Sequence, residues 1–360
     1  MRRTKLACVS GCADACALEG VQDCPNLHMR PCPAPRRLDV ALVELGGNGL
    51  VAHGARSQRR ADMAGANMAR HHYVPKFLLR QWAINGRLIA YYFQLASGKV
   101  IENTKATVAS ACQIPDLNTY FGVHASHRDL PETGFFTPVV DTPAAMALRV
   151  ISKQGLSAFT PAQRLDWARL LVSFGVRTPE ALRDMGPNET RKAFALVEAS
   201  AKGPPDAERR VSEIVKKGMP MLERNFPLSI AMDLSSDLEK LEAIDRMTWW
   251  IRRWPQTAML IGDRPLLTFP RAPHPCGIPL DHPDCLIALP IGPRAVFFAS
   301  ANPKTRDKVR KMMPSKIAFA VNEETIWRST VVYAGDRSLA SFIKPRIEGK
   351  ATGRWQPRRR

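Results

Sequence analysis

From residue 70 onward, apolar and polar positions fall into blocks with different periods. Phe77, Leu78, Gln81 and Trp82 keep helical spacing behind Pro75. Proline suits a first helical position, because its missing N–H would be unpaired there anyway. The spacing therefore predicts a short amphipathic helix, with His71 and His72 just before its N-terminus. Residues 87–93 and 99–101, parted by Ser97-Gly98, predict a hairpin. Thr160-Pro161-Ala162-Gln163 has the chemistry of a capping box, and Leu165, Ala168 and Val172 continue one helical face. Thr178-Pro179-Glu180 marks a second helix start directly after Arg177. Further helices are predicted over 189–202 and 207–219, divided by Gly203-Pro204-Pro205, and near 237–245.

The period then changes to two. Trp249, Ile251 and Arg253 alternate with Trp250, Arg252 and Trp254. A short apolar run, 258–261, ends at Gly262-Asp263-Arg264-Pro265, and 286–291 and 294–299 flank Gly292-Pro293. These are strands with turn chemistry between them. Asn322-Glu323-Glu324 predicts the opening of a last helix running toward Val332, with a cap and two acids in its first turn. Helices and strands are segregated along the chain instead of alternating, which argues an α+β fold rather than a doubly wound sheet. No window approaches 18 uninterrupted apolar residues, so no membrane span is expected.

Composition separates the first 67 residues from the rest. They contain none of the Phe, Trp or Tyr, yet hold Cys8, Cys12, Cys16, Cys24 and Cys32. Without aromatics a segment has little with which to anchor a core. A zinc site would need paired ligands, and Cys24 and Cys32 complete no known knuckle. A lipoprotein signal would need an apolar run of roughly 7–15 residues before Cys12. Only residues 6–9 supply one. A transit peptide would be poor in acids, and Asp14, Glu19, Asp23, Asp39, Glu44 and Asp62 are present. The expectation is a leader, 1–67, that is not a folded domain and reads as translation from an early start codon, with Met63 and Met68 as the alternative starts. A single α+β domain is expected over 68–343, followed by a basic, disordered tail over 344–360.

The net charge is +19. Residues 161–250 are balanced, with 14 basic and 14 acidic side chains, so the excess lies elsewhere. One cluster is Lys304, Arg306, Lys308, Arg310 and Lys311, on a predicted helix with only Asp307 against them. The other is the tail, with seven basic residues and one acid. Both could contact the phosphates of a nucleic acid, or simply form a solvated face and a basic end; no recognisable nucleic-acid motif accompanies them.

The candidate chemistry rests on single residues. His71 and His72 adjoin a helix start, and adjacent residues of an extended segment point to opposite sides, so one of the two faces any given site. Asp263 sits where a strand meets a turn, with Pro265 biasing Arg264 to an extended conformation. Arg177 lies between two helices. Each also has a structural reading: packing for the histidines, turn amides for Asp263, helix-end carbonyls for Arg177. His274, Cys276, His282 and Cys285 match no standard metal spacing, and the prolines among them mark a loop. Few scattered cysteines after the leader fit a reducing, cytoplasmic setting. No Gly-rich phosphate loop, Gly-x-Ser-x-Gly or His-Glu-x-x-His motif is present, so no cofactor is assigned.

HHYVPKFLLRQWA at 71–83, the hairpin, RTP at 177–179, GDRP at 262–265 and LPIGPRAVFF at 289–298 occur in one order. In this the chain resembles the family Domain of Unknown Function 4238 over about 70–336. The family's usual Ser-Asp stands here as Gly262-Asp263, and its usual Asn as Arg264, which adds a cation beside Asp263. The resemblance implies a domain and no established reaction. It implies also that His72, Arg177 and Asp263, which fall on the motifs, matter together. Two classes of function follow. One is a hydrolase-like or phosphodiester-directed enzyme, with His72 as base or ligand, Asp263 as orienter or ligand and Arg177 as anion clamp. The other is a non-catalytic module that binds nucleic acid or another partner through Lys304, Arg306, Lys308, Arg310, Lys311 and the tail.

Overall fold

The structure is a computed structural model of the 360-residue chain and describes residues 69–200, 205–270, 278–280 and 282–357. The expected leader, its five cysteines, and His274 and Cys276 lie outside the described residues. The elements run β1 (Arg70–His72), α1 (Lys76–Leu79), a 3₁₀ turn (Arg80–Trp82), β2 (Arg87–Gln94), β3 (Lys99–Thr107), β4 (Gln113–Pro115) and α2 (Ala125–Arg128). A π-helix (Pro131–Asp141) leads into α3 (Thr142–Lys153) and, after a 3₁₀ turn, α4 (Pro161–Val176), α5 (Pro179–Ser200), α6 (Pro205–Ser235) and α7 (Leu238–Asp245). Then come β5 (Thr248–Arg253), β6 (Ile261–Gly262), β7 (Leu267–Phe269), β8 (Leu286–Gly292), β9 (Ala295–Ser300), α8 (Pro303–Lys311), α9 (Pro314–Arg328), β10 (Val331–Ala334) and α10 (Ala340–Ala351). The fold is α+β, with antiparallel pairing throughout the described sheets.

One four-stranded sheet has the order β5-β9-β8-β7 and is buried on both faces. The period-two pattern of β5 divides its tryptophans between them. Trp249 joins Phe297, Leu289 and the helical block around Trp167, whereas Trp250 stacks on Phe298 beneath Val309, Ile317 and Val321 of α8 and α9. The second sheet has the order β3-β2-β10-β6, so the hairpin pairs with two strands from the far end of the chain. Its Tyr91 and Val332 face pack against Ile343 and Ile347 of α10.

Helix α4 starts on the expected capping box, with Thr160 and Gln163 exchanging both bonds. Its residues 170–176 are all buried, as a helix through the middle of a domain requires. The helices expected over 189–202 and 207–219 are too short: α5 and α6 run through Pro187, Pro220 and Pro227. Burial of Leu228, Ala231 and Met232 holds the far end of α6 in place. Asn322 opens no helix. It lies inside α9, where its amide accepts from Leu260 N–H (2.9 Å) and donates to the Ala258 carbonyl (3.0 Å), serving the chain beside β6 in place of a helix end. Residues 331–334, expected at the end of that helix, form a strand instead. The chain expected as a disordered tail from 344 is helical to 351, because Ile343 and Ile347 bury themselves on the second sheet.

Candidate functional site

β1 pairs with β4 and aims its two histidines apart. His71 is buried, and its Nδ1 accepts from Asn118 N–H at 3.0 Å. His72 is half-buried on the other side, and its Nε2 is enclosed without a hydrogen-bond partner. Burial holds its pKa below the ordinary value, and the charge of Lys76 adds to this; the Val108 and Ala109 backbone and the Glu132 carboxylate act the other way.

Glu132 and Asp141, at the two ends of the π-helix, were not singled out by their spacing. Glu132 accepts from the Asn118 amide (2.7 Å) and the Thr137 hydroxyl (2.9 Å). Asp141 accepts from Arg177 Nη1 at 2.7 Å. Burial still raises the Asp141 carboxyl, with Arg177 opposing that shift and Glu132 adding to it. Arg177 ends α4 with its guanidinium over the Phe174 ring; it is 1% exposed, and Nε and Nη2 have no partner. It binds a carboxylate, not the helix-end carbonyls expected of it. Of these groups Asp141 and Arg177 are directly paired, whereas Glu132 bonds to Asn118 and Thr137.

Asp263 belongs to another group. Its Oδ1 accepts from Thr330 N–H (3.0 Å) and its Oδ2 from Val331 N–H (3.3 Å), tying the end of β6 to the start of β10. The turn-amide reading is right in kind, but the amides come from 67 residues further on. Burial pushes the carboxyl up to about 6, with Glu180 adding and Arg264 and the two amides opposing. The charges of Asp263 and Glu180 also act on the Tyr73 phenol, which burial raises far above its ordinary value. The groups acting most strongly on His72 and on Asp263 are different sets.

Beside Asp263 lies a cleft of about 50 Å³, lined by Phe174, Thr178, Glu180, Arg264, Leu266 and Arg328 among others. Arg264 Nη2 pairs with Glu180 at 3.3 Å, and its Nε is buried without a partner. Arg328 donates to the Leu266 carbonyl at 2.9 Å and pairs with Glu324. Thr178 caps α5, accepting from Ala181 N–H at 3.2 Å. The RTP and GDRP motifs therefore meet here, each one residue beyond the expected Arg177 and Asp263. Lys350 of α10 donates to the Ile326 and Ser329 carbonyls; burial lowers its pKa, and Asp263 opposes that.

The basic cluster is separate. Helix α8 buries Val309 and exposes Lys304, Lys308, Arg310 and Lys311, while Arg306 is tied to Asp307 at 2.8 Å. Among the described residues, no group of three or more His, Cys, Asp or Glu could hold a metal ion, and no helix is long and apolar enough to cross a membrane. Cys112 and Cys285 are buried free thiols.

An α+β fold in which the RTP and GDRP segments meet at a cleft lined by Glu180, Arg264 and Arg328 defines the class of this protein. A family model described as protein of unknown function (DUF4238) matches residues 70–338, and the chain belongs to that family. No curated protein and no solved structure matches it.

Proposed function

We propose that the protein is a hydrolase-like enzyme directed at a phosphodiester or a similar phosphate-bearing anion, seated in the cleft between RTP and GDRP. The observation that carries this reading is the pair of guanidiniums, Arg264 and Arg328, on a cleft built by the family's motif segments. Guanidinium forks suit planar or tetrahedral oxyanions. Glu180 occupies one side of Arg264, and a substrate phosphate takes its place. Arg264 and Arg328 replace Arg177 as the anion clamp, since Arg177 is enclosed with Asp141. Asp263 orients the strand ends that carry Arg264, and His72, which does not line this cleft, is given no step in it.

The test uses the full chain with inorganic phosphate and with a chromogenic phosphodiester, in the presence and absence of divalent cations. Glu180→Gln is expected to tighten phosphate binding and Arg264→Met to abolish it, with turnover lost in Arg264→Met. Absence of turnover under every condition overturns the enzyme reading.

A second reading is favoured by α8. Its outward face carries four exposed cations, and its only acid is already paired. That face suits a nucleic-acid backbone, bound without catalysis.

A further inference from the structure

We infer that Lys350, on α10, is a positioning residue for the proposed anion site: with Asp263 it fixes the peptide joining Ser329 to Thr330, and so sets where Arg328 and Arg264 stand. The inference rests on the reading of that cleft as an anion site. The contacts that carry it are direct. Helix α9 ends at Arg328, and Ser329 leaves it with extended backbone (φ −92°, ψ 147°) instead of a left-handed turn. The last carbonyls of a helix have no partner within it. Lys350 Nζ supplies one, donating to the Ile326 carbonyl at 3.2 Å and to the Ser329 carbonyl at 2.7 Å. A lysine near a helix end can close it in this way. This one reaches across from a separate helix that begins at Ala340.

The other edge of the same peptide is held as well. Thr330 N–H donates to Asp263 Oδ1 at 3.0 Å and Val331 N–H to Oδ2 at 3.3 Å, while Asp263 N–H donates to the Val331 carbonyl at 3.1 Å. In a trans peptide the C=O and N–H point opposite ways. An ammonium therefore meets one edge and a carboxylate the other, each facing the end of the peptide dipole that it favours. Hydrogen bonds with one charged partner are the stronger kind. Both guanidiniums of the cleft leave the chain one residue from this clamp, Arg328 before Ser329 and Arg264 after Asp263. The far end of Arg328 is tied to the Leu266 carbonyl at 2.9 Å and to Thr268 Oγ1 at 3.4 Å, so a shift of residues 329–330 would act on a side chain anchored at its tip. Lys350 is half-buried and does not line the cleft itself, so its action on an anion passes through this peptide.

The decisive variant is Lys350→Met in the full chain, which keeps the apolar stem and removes the donor. Inorganic phosphate is the probe, with affinity measured by calorimetry well below the melting temperature, and NMR follows the Thr330 amide and the Nε–H groups of Arg264 and Arg328. Lys350→Met is expected to weaken phosphate binding by about tenfold or more, as misplaced binding groups do, and to shift all three resonances. Lys350→Arg, which keeps a charged donor, is expected to bring affinity back toward the parent. Ile347→Ala, on the same helix but packed on the second sheet, is expected to lower the melting temperature and leave phosphate affinity unchanged. Should Lys350→Met not fold, Lys350→Gln, with a shorter neutral donor, is read in the same way. Parental phosphate affinity in Lys350→Met, or an equal loss in Ile347→Ala, overturns the role and leaves Lys350 a structural residue of α10. The arginine resonances need no ligand: unchanged, they overturn the role too, whereas absence of phosphate binding in the parent bears on the anion site alone.

Discussion

Gly262 shows how closely a single residue is constrained here. A Cβ built on it would lie 1.8 Å from Ser329 Oγ and 2.7 Å from Ser329 Cβ. Any side chain at 262 and the Ser329 side chain therefore exclude each other in this packing. Gly262→Ala is expected to destabilise the protein by about 1–3 kcal/mol, as overpacked cores do, with Ser329→Gly restoring part of the loss in urea melts. Equal melting curves for the parent and Gly262→Ala would sink this account. Asp263, the next residue, makes a pH prediction. Its carboxyl is raised from an ordinary 3.8 to about 6 in the fold, so the folded state holds more protons than the unfolded chain between those values. Stability from this group therefore falls as pH rises through that window. Asp263→Asn is expected to flatten that slope in the pH dependence of the urea midpoint. The sequence placed Asp263 and Arg177 well enough to point at the cleft, but the lining side chains are their neighbours, Arg264 and Thr178. Which member of a motif faces a cavity depends on the register of distant strands, and spacing along one segment does not encode that.

Among elements, α10 departs most from the local reading. Seven basic residues after 343 suggested a solvated tail. Instead Ile343 and Ile347 lie buried against Tyr91 and Val332, and Lys350 closes the end of α9. The matched family region stops at 338, and α10, beyond it, packs onto the second sheet. Ile347→Ala is expected to cost about 2–5 kcal/mol, and a stop after residue 343 at least as much, measured by chemical denaturation. A truncated chain with parental stability would show that α10 is dispensable. The long helices were half legible. Their capped starts at Thr160, Thr178 and Asp237 are local chemistry and were placed correctly. Their ends were not, because tertiary burial carries α5 and α6 through prolines that locally argue for a break. The π-helix has no periodic signature of its own, so Glu132 and Asp141 went unnoticed.

For the whole molecule, the charge that dominates the composition is spread over several surfaces. The helical block is balanced, and α8 concentrates exposed cations on one face. If that face binds nucleic acid, replacing Lys304, Lys308, Arg310 and Lys311 by alanine lowers the slope of log affinity against log salt by roughly 3–4, counted as one phosphate per cation. An unchanged slope in fluorescence anisotropy removes α8 as the contact surface. The α+β class, the hairpin, the strand run after residue 248, the capped helix starts and the family are all legible along the chain, because they follow from short-range periodicity and motif chemistry. Only the closed fold makes β10 complete the sheet begun by the hairpin, binds Asp263 to the amides at the start of β10 and pairs Arg264 with Glu180. The physical reason is range. Caps, turns and alternation are settled within a few residues. Burial, ion pairing and the pKa values they set depend on contacts between segments that only the closed fold brings together.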